Sequence, residues 1–374
     1  MHVGGTLFDH FSSIPDPRVA RTRRHQLIDI IIITICAILC GADSWVEVAL
    51  FGRCKQAWFK TFLTLPNGIP SHDTFGRVFS LMDAQAFEHG FTTWVESLAV
   101  LTGGDIVAID GKTIRRSHKK KEGLSALHLV SAFATRNGLS LGERKIDTKS
   151  NELKAIPKLL KVLNLSGCTV TIDAAGCYKE VIKSIINKGA NYVIATKNNQ
   201  PRLLHDIVNL FEQTDPGGMD HAQESDVSHG RQVMRRCDVI TGEVPLASIR
   251  GYQTWGLGCV AKITNIRKTK TRVTTETRYY ISSLKNTSAQ EMLNIIRAHW
   301  KIENSLHWVL DIAYREDESR IRTGYAQQNF ALMRKITLNL LKQEMTIKAG
   351  IKGKRLNAGW DEEYMLSVLG IKMR

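Results

Sequence analysis

The 374-residue sequence contains no Cys-x-x-Cys pair and no long apolar run, and each absence excludes a class of protein. Its seven cysteines are scattered and odd in number, which argues against a zinc ribbon and against a disulfide framework. The most apolar run, residues 27–40, is interrupted by Asp29 and is too short for the roughly 20 residues that a membrane span needs. No small-residue cleavage site follows it, so we interpret it as a buried core helix of a cytoplasmic protein.

Acidic residues are scarce relative to basic ones. The chain has 51 lysines and arginines against 36 aspartates and glutamates, which gives a formal net charge of +15. A surface this positive attracts polyanions, and nucleic acid is the first candidate. Hydrophobic residues make up 43% of the chain, enough for a sizeable core. The length favours two or three domains.

The first part of the chain has the apolar spacing of helices. We predict that residues 1–100 form a helical N-terminal domain. Within it, Ser71 is predicted to cap a helix. That helix resembles the reading helix of a helix-turn-helix, although a plain packing helix is the stronger alternative. Its polar residues near the start are His72, Thr74 and Arg77.

Beyond Gly103-Gly104 the pattern changes to short apolar strands that alternate with helices. An Asn137-Gly138 pair predicts a hairpin turn. A mixed sheet with helices on its faces is the natural packing, so the predicted fold class is α/β. The predicted strands cover residues 106–109, 128–135, 139–146, 168–172 and 191–196, and the predicted helices cover residues 151–163 and 178–188.

Residues 200–285 have a different texture, which is typical of a β-rich insertion. After a helix and a polar loop, TDPGGMDHAQESD, strand-like runs are predicted over 232–240, 258–266 and 272–282. One long helix is then predicted over 288–314 and another over 327–343. We predict that residues 346–374 form a basic C-terminal tail that contains a last helical stretch.

Two of the predicted strands end in the same way, with an aspartate followed by a small residue: Asp110 and Asp173. Ligand sites in α/β sheets form beyond such strand ends, so the two carboxylates converge if the strands are neighbours. Converging carboxylates repel each other unless a cation or a proton intervenes. Mg²⁺ suits a sparse carboxylate site of this kind. The alternative is that each aspartate merely begins a turn.

A third acidic ligand is predicted on the helix near residue 300. Polar residues spaced by four form one stripe along this helix, between apolar flanks. The stripe consists of His299, Glu303, His307 and Asp311. A solvated face is the ordinary explanation, but apolar bulk on both sides favours an acid, Glu303, that faces a cleft. A zinc site formed by His299 and His307 is a weaker alternative.

Basic residues surround the predicted carboxylates. Acids alone would repel a phosphate backbone, so a basic surround is what a site that acts on nucleic acid requires. Each basic run taken alone is more often a solvated face. The residues concerned are Lys112, Arg115, Arg116, Lys119 to Lys121, Lys197, Arg231, Arg235 and Arg236.

Several long segments resemble the H-repeat-associated transposases of bacterial insertion sequences, a branch of the DDE transposases. They run from near residue 8 to beyond residue 340 and so cover almost the whole chain. The segments are FSSIPDPR, LCGADSW, LPNGIPSHDTFGRVF, VAIDGKTIRRS, TIDAAGC, YYISSL, HWKIENSLHWVLD and EDESRIRTGYAQQNFALMRKI. The resemblance implies an RNase H-like catalytic domain, which we assign to residues 101–345, split by a β-rich insertion before the helix that carries the glutamate.

The resemblance also implies the site residues. The family's two aspartates and glutamate fall on Asp110, Asp173 and Glu303, which would be both catalytic residues and metal ligands. The implied cofactor is Mg²⁺, with Mn²⁺ as a substitute. Four positions depart from the pattern of related transposases: Tyr178, Ile296, Asn198 and His299.

The implied function is metal-dependent DNA strand cleavage at the ends of an insertion sequence, followed by strand transfer into target DNA. The expected partners are double-stranded DNA and further copies of the chain, in a dimer or a higher oligomer. Two alternatives stay open: a decayed or domesticated DNA-binding protein, and a metal-dependent nuclease without joining activity. The predicted DNA contacts are Lys112, Arg115, Arg116, Lys197, His299, Lys301 and Arg77.

Overall fold

A computed structural model of the chain describes residues 7–98, 101, 103–118, 123, 125–146, 152–228 and 231–371. The predicted basic run Lys119 to Lys121 lies outside the described residues. The N-terminal part is helical, as predicted. Its helices are α1 (Leu7–Ser12), α2 (Leu27–Leu39), α3 (Trp45–Cys54), α4 (Gln56–Phe59), α5 (His72–Leu81) and α6 (Ala84–Leu98).

Helix α2 lies in the centre of this helical part. Every side chain from Asp29 to Leu39 is buried, as expected for a core helix. None of the helices in the described ranges combines the length and the apolarity that a membrane crossing requires. Helix α5 begins where the sequence predicts, because the Ser71 hydroxyl accepts a hydrogen bond from the Thr74 amide.

The strands form one nine-stranded mixed sheet with the order β3-β2-β1-β4-β5-β9-β8-β7-β6. Strands β1, β4 and β5 are parallel to one another, and the remaining neighbours are antiparallel. This is the RNase H-like mixed sheet that the resemblance implies. The strands are β1 (Ile106–Thr113), β2 (His128–Ala134), β3 (Leu139–Ile146), β4 (Thr169–Ile172), β5 (Asn191–Thr196), β6 (Asp220–Ser228), β7 (Arg231–Thr241), β8 (Cys259–Lys268) and β9 (Val273–Ser282).

Two strands differ from the prediction. Strand β6 occupies most of the predicted polar loop and pairs with β7 along its whole length. It is an edge strand with one neighbour, so backbone pairing suffices and no apolar pattern is needed. Strand β1 does not end at Asp110, because it stays paired with β2 as far as Thr113.

The remaining helices cover the sheet and link it to the N-terminal part. They are α7 (Glu152–Val162), α8 (Lys179–Ile186), α9 (Pro201–Gln213), α10 (Glu243–Leu246), α11 (Ala289–His299), α12 (Trp308–Tyr314), α13 (Ala326–Gln343), α14 (Ile351–Trp360) and α15 (Glu362–Leu369). Helix α13 is buried over most of its length. Trp45 of α3 packs edge-on against Phe330 of α13, with ring centroids 5.1 Å apart.

The long helix predicted over 288–314 is interrupted. Helix α11 ends at His299, and a π segment, Glu303–His307, precedes α12. The predicted tail also differs, because α14 and α15 pack onto the core and the side chains of Lys354 and Arg355 are buried. Because two of the four charges of the basic stretch 348–355 are buried against the core, this stretch is part of the fold.

Candidate metal centre

Asp110 and Asp173 lie side by side at one edge of the parallel part of the sheet. The parallel register pairs Ile109 of β1 with Ile172 of β4, so the next residue on each chain is an aspartate. The Asp110 side chain is 27% exposed, and Asp173 is exposed. The two strands are neighbours, which is the condition that the predicted convergence requires, although β1 itself continues beyond Asp110.

Asp173 also begins a turn. Its Oδ1 accepts a hydrogen bond of 2.9 Å from the Ala175 amide, which fixes the carboxylate orientation at the end of β4. The turn explanation and the site explanation are thus compatible for this residue. A carboxylate held by one backbone amide retains further lone pairs for a cation.

The π segment brings Glu303 to the same edge of the sheet. Oxygen atoms of Asp110 and Glu303 and a ring nitrogen of His307 all lie within 4.8 Å of one another. Asp173 is not a member of this compact group. In the described part of the chain, no lysine or arginine forms an ion pair with Asp110, Asp173 or Glu303. Oxygen and nitrogen donors at these separations suit a divalent cation.

His307 is the member of the group that the sequence analysis did not assign to the predicted site. Its Nε2 lies 3.3 Å from Oδ2 of Asp110, and its side chain is buried. The available signal was its position four residues after Glu303 on the polar stripe. In the sequence, His307 is predicted only as a zinc ligand paired with His299. The structure does not place His299 in the compact group.

His299 lies behind the carboxylates instead of on a DNA-facing surface. Its Nδ1 forms a 3.0 Å hydrogen bond with the Thr171 hydroxyl. Burial lowers the pKa of His299 below its usual value of 6.5, and the opposing charges of Asp110 and Asp173 do not restore it. The imidazole is therefore neutral at pH 7, and its predicted role as a DNA contact stays a prediction.

Lys112 is also placed differently from the predicted DNA contact. Its side chain is only 13% exposed, and its Nζ donates to Asp311 at 2.5 Å and to Glu316 at 2.9 Å. Burial alone would lower the pKa of Lys112, but the charges of Glu316 and Asp311 raise it. A third contact, of 3.4 Å, reaches the His307 carbonyl. Lys112 thus ties β1 to the segment that follows Glu303.

The other predicted DNA contacts are exposed. The Arg115 side chain is 84% exposed and pairs with Asp317 at 3.2 Å. Lys197 lines an open groove of about 840 Å³ together with Asp173, and the departing residues Tyr178 and Asn198 line the same groove. Exposed positions are also occupied by Arg116, Lys301 and Arg77.

Comparisons with known proteins give matches along most of the chain. The family model described as "Transposase DDE domain" matches residues 101–340, and the model described as "DDE_Tnp_1-associated" matches residues 8–95. The chain is 40% identical to "Putative transposase YncI" of Escherichia coli O157:H7, over 97% of this chain and 94% of that protein. It is 38% identical to "H repeat-associated putative transposase YhhI" of Escherichia coli K12, over 97% of each. A solved piggyBac transposase synaptic complex with hairpin DNA matches with a TM-score of 0.45 and 10% identity, covering 97% of this chain and 76% of that one.

Proposed function

The chain belongs to the H repeat-associated transposases of bacterial insertion sequences, a branch of the DDE transposases, and from this premise we propose that it cuts DNA at the ends of its insertion sequence and joins them to target DNA. The observation that supports this most strongly is the meeting of acids from distant parts of the chain. Asp110 and Glu303 converge within 4.8 Å, and Asp173 occupies the adjacent strand end. No lysine or arginine of the described chain neutralises them, which leaves a place for a cation.

We infer that Asp110, Asp173 and Glu303 hold divalent metal, Mg²⁺ with Mn²⁺ as a substitute. When bound, such ions activate the attacking oxygen and stabilise the leaving oxygen of an in-line displacement at phosphorus. The protein's own part is positional. Strands β1 and β4 fix the two aspartates in register, the Ala175 amide orients Asp173, and Lys112 fastens the π segment to β1.

Double-stranded DNA is the proposed substrate, with further copies of the chain expected because two ends must be brought together. The net charge of +15 favours association with a polyanion. The exposed cations Arg115, Arg116, Lys197 and Lys301 are proposed to contact phosphates. Lys112 leaves this group because its ammonium is occupied by two carboxylates.

Recognition of the element ends by α5 stays a prediction. The helix packs through Phe75, Val78 and Phe79, while Arg77 is exposed. Arg77 lines a groove of about 620 Å³ in which the two further arginines Arg320 and Arg322 outnumber the carboxylates of Asp43 and Asp73 by one charge when Arg77 is included. Arg77→Ala is a better test than removing the N-terminal part, because α2 lies in the shared core.

A cleavage assay on the DNA that flanks the gene tests the proposed function. We expect Mg²⁺-dependent nicking at the element ends and joined products with added target DNA. Asp110→Asn, Asp173→Asn and Glu303→Gln should each abolish nicking and retain DNA binding. Asp226→Asn is a matched control, since this aspartate is exposed on the distant edge strand β6. Specific binding without cleavage by the wild-type chain would favour a DNA-binding protein, and cleavage without joined products would favour a nuclease.

A further inference from the structure

The buried imidazole of His307 is directed at the carboxylates. We propose that His307 supplies a nitrogen ligand to the divalent metal held by Asp110 and Glu303, which makes this an Asp-Glu-His centre that selects first-row transition ions such as Mn²⁺ over Mg²⁺ more strongly than an all-oxygen site. The inference rests on the proposed function in taking this centre to bind metal.

The separations of the donor atoms suit one shared ion. Ligand atoms at about 2.1 Å from an ion are about 3.0 Å apart when adjacent and about 4.2 Å apart when opposite. His307 Nε2 and Asp110 Oδ2 are 3.3 Å apart, close to the adjacent value. All three donor atoms lie within 4.8 Å of one another, so small side-chain rotations bring them onto one ion.

The hydrogen bonds of the described residues do not explain why the Nε2 atom of His307 is buried. The side chain is 5% exposed, and the Nε2 atom is buried without a hydrogen-bond partner in the described chain. Its approach to Asp110 is close, but it lacks the direction of a hydrogen bond. Buried polar atoms nearly always have a partner, and an imidazole lone pair facing two carboxylates finds one in a cation.

The backbone around His307 holds the ring in this position. Glu303 and His307 are the first and last residues of the π segment, in which the Trp308 amide donates to the Glu303 carbonyl. Single π turns within helices are found frequently at functional sites. The Lys112 ammonium reaches the His307 carbonyl from β1, the strand that carries Asp110. Two ligand-bearing elements are thereby fastened together independently of the metal, as expected for the outer support of a metal site.

The chemistry of the donors determines the preference among ions. Mg²⁺ is the harder ion, favours oxygen ligands and retains its waters, so an imidazole nitrogen adds less to its binding than to the binding of a first-row transition ion such as Mn²⁺. Replacing His307 by glutamine keeps a polar side chain but removes the aromatic nitrogen. We expect His307→Gln to weaken Mn²⁺ binding by at least about tenfold and to change Mg²⁺ binding by less, so that the two affinities move closer together.

Pulsed EPR on the full chain loaded with Mn²⁺ tests the assignment directly. We expect a nitrogen coupling on the Mn²⁺ signal that changes when the histidines are labelled with ¹⁵N and that disappears in His307→Gln. His299→Gln is the matched control, because His299 lies beside the same aspartates but bonds to Thr171, and it should retain the coupling. A coupling that survives in His307→Gln, or one that disappears in His299→Gln, would overturn the proposal.

The same measurements separate this inference from the proposed function. Asp110→Asn and Glu303→Gln should reduce Mn²⁺ binding whether or not His307 is a ligand. If the wild-type chain binds Mn²⁺ through both acids but shows no nitrogen coupling, the role of His307 is refuted and the acidic centre stands. If neither acid affects Mn²⁺ binding, the acidic centre itself is refuted. If His307→Gln fails to fold, the absence of a ¹⁵N-sensitive coupling in the wild-type chain still refutes the role of His307, and loss of the coupling in His299→Gln refutes it as well.

Discussion

Two clusters of polar side chains include residues of strand β1, and they differ in how the charges of their carboxylates are compensated. Asp110 and Lys112 are two residues apart on β1 and so project from the same face. Lys112 enters a closed cluster with Asp311 and Glu316, in which each carboxylate has a cationic partner. Asp110 enters an open cluster with Glu303 and His307, in which neither carboxylate pairs with a lysine or arginine of the described chain.

The pKa of Glu316 shows what compensation achieves in the closed cluster. Burial alone would raise the pKa of this carboxyl, but the charges of Lys112, Lys335 and Arg334 hold it at about 2. Lys335 in turn pairs with buried Glu143. Removing one partner from a buried group of charges that is paired in this way is strongly destabilising. Carboxylates that converge without such partners need a cation, so the open cluster is the one suited to metal chemistry.

The sharpest way to break this comparison is Asp110→Asn. We expect strand cleavage to fall on the order of 10³-fold or more, because stabilisation of the transition state worth several kcal/mol depends on the metal. The metal-free chain should unfold at the same temperature or a higher one, since a repelling charge is removed. Single-turnover cleavage and thermal unfolding measure the two effects. A large fall in unfolding temperature would show that Asp110 stabilises the fold, as the residues of the closed cluster do.

Lys112→Met should have the opposite profile of effects. It removes the ion-pair partner of half-buried Asp311 and one of the three cations that face buried Glu316, so we expect the free energy of unfolding to fall by about 3 kcal/mol. Denaturant titration measures the loss. Arg115→Met is the control: its side chain is 84% exposed, and its loss should cost at most about 0.5 kcal/mol. A Lys112→Met protein as stable as the wild type would show that the closed cluster contributes little.

Low pH should weaken the closed cluster, because it protonates Glu316. Because the pKa of Glu316 is depressed from 4.5 to about 2, its ionisation stabilises the fold above about pH 4.5, and this contribution disappears as the pH falls towards 2. Stability measured across this interval should therefore fall more steeply for the wild type than for Glu316→Gln. Equal slopes for the two proteins would mean that Glu316 is not held ionised.

Single exposed cations should have the smallest effects. Arg116→Ala or Lys197→Ala should weaken DNA binding modestly for every sequence and reduce the salt dependence, the slope of log K against log salt, by about 0.9. Binding titrations at several salt concentrations measure this slope. Lys112→Met should leave the slope unchanged, because its ammonium is engaged inside the protein. A reduced slope for Lys112→Met would mean that Lys112 does contact DNA phosphates.

Much of the fold was predictable because local signals agree with it. The Asn137-Gly138 turn, the apolar strands that end near the aspartates and the Ser71 cap all correspond to the structure. Strand β6 was missed because its residues are mostly polar, and an edge strand can be held by backbone pairing without an apolar pattern. The closed cluster was missed for another reason. In the sequence, Lys112 resembles a solvent-exposed cation, because its ion-pair partner Glu316 is far along the chain.

The candidate site was predictable in part. The spacing of polar residues by four put Glu303 and His307 on one stripe, but it did not predict the π segment or the buried Nε2. The same periodicity assigned His299 an equal place on that stripe, whereas Thr171 and burial hold it as a neutral ring behind the carboxylates. Periodicity gives the face of a helix, and only packing decides which residues of that face meet another strand.

A crystal structure of the chain soaked in Mn²⁺, with anomalous diffraction measured at the manganese edge, tests the central claim most directly. The account predicts a peak between Asp110 and Glu303, with Asp173 at the rim of the same site and no peak in the Lys112 cluster. Loss of the peak in Glu303→Gln would support the assignment. Manganese bound elsewhere, or no peak at these acids in well-ordered crystals, would contradict it.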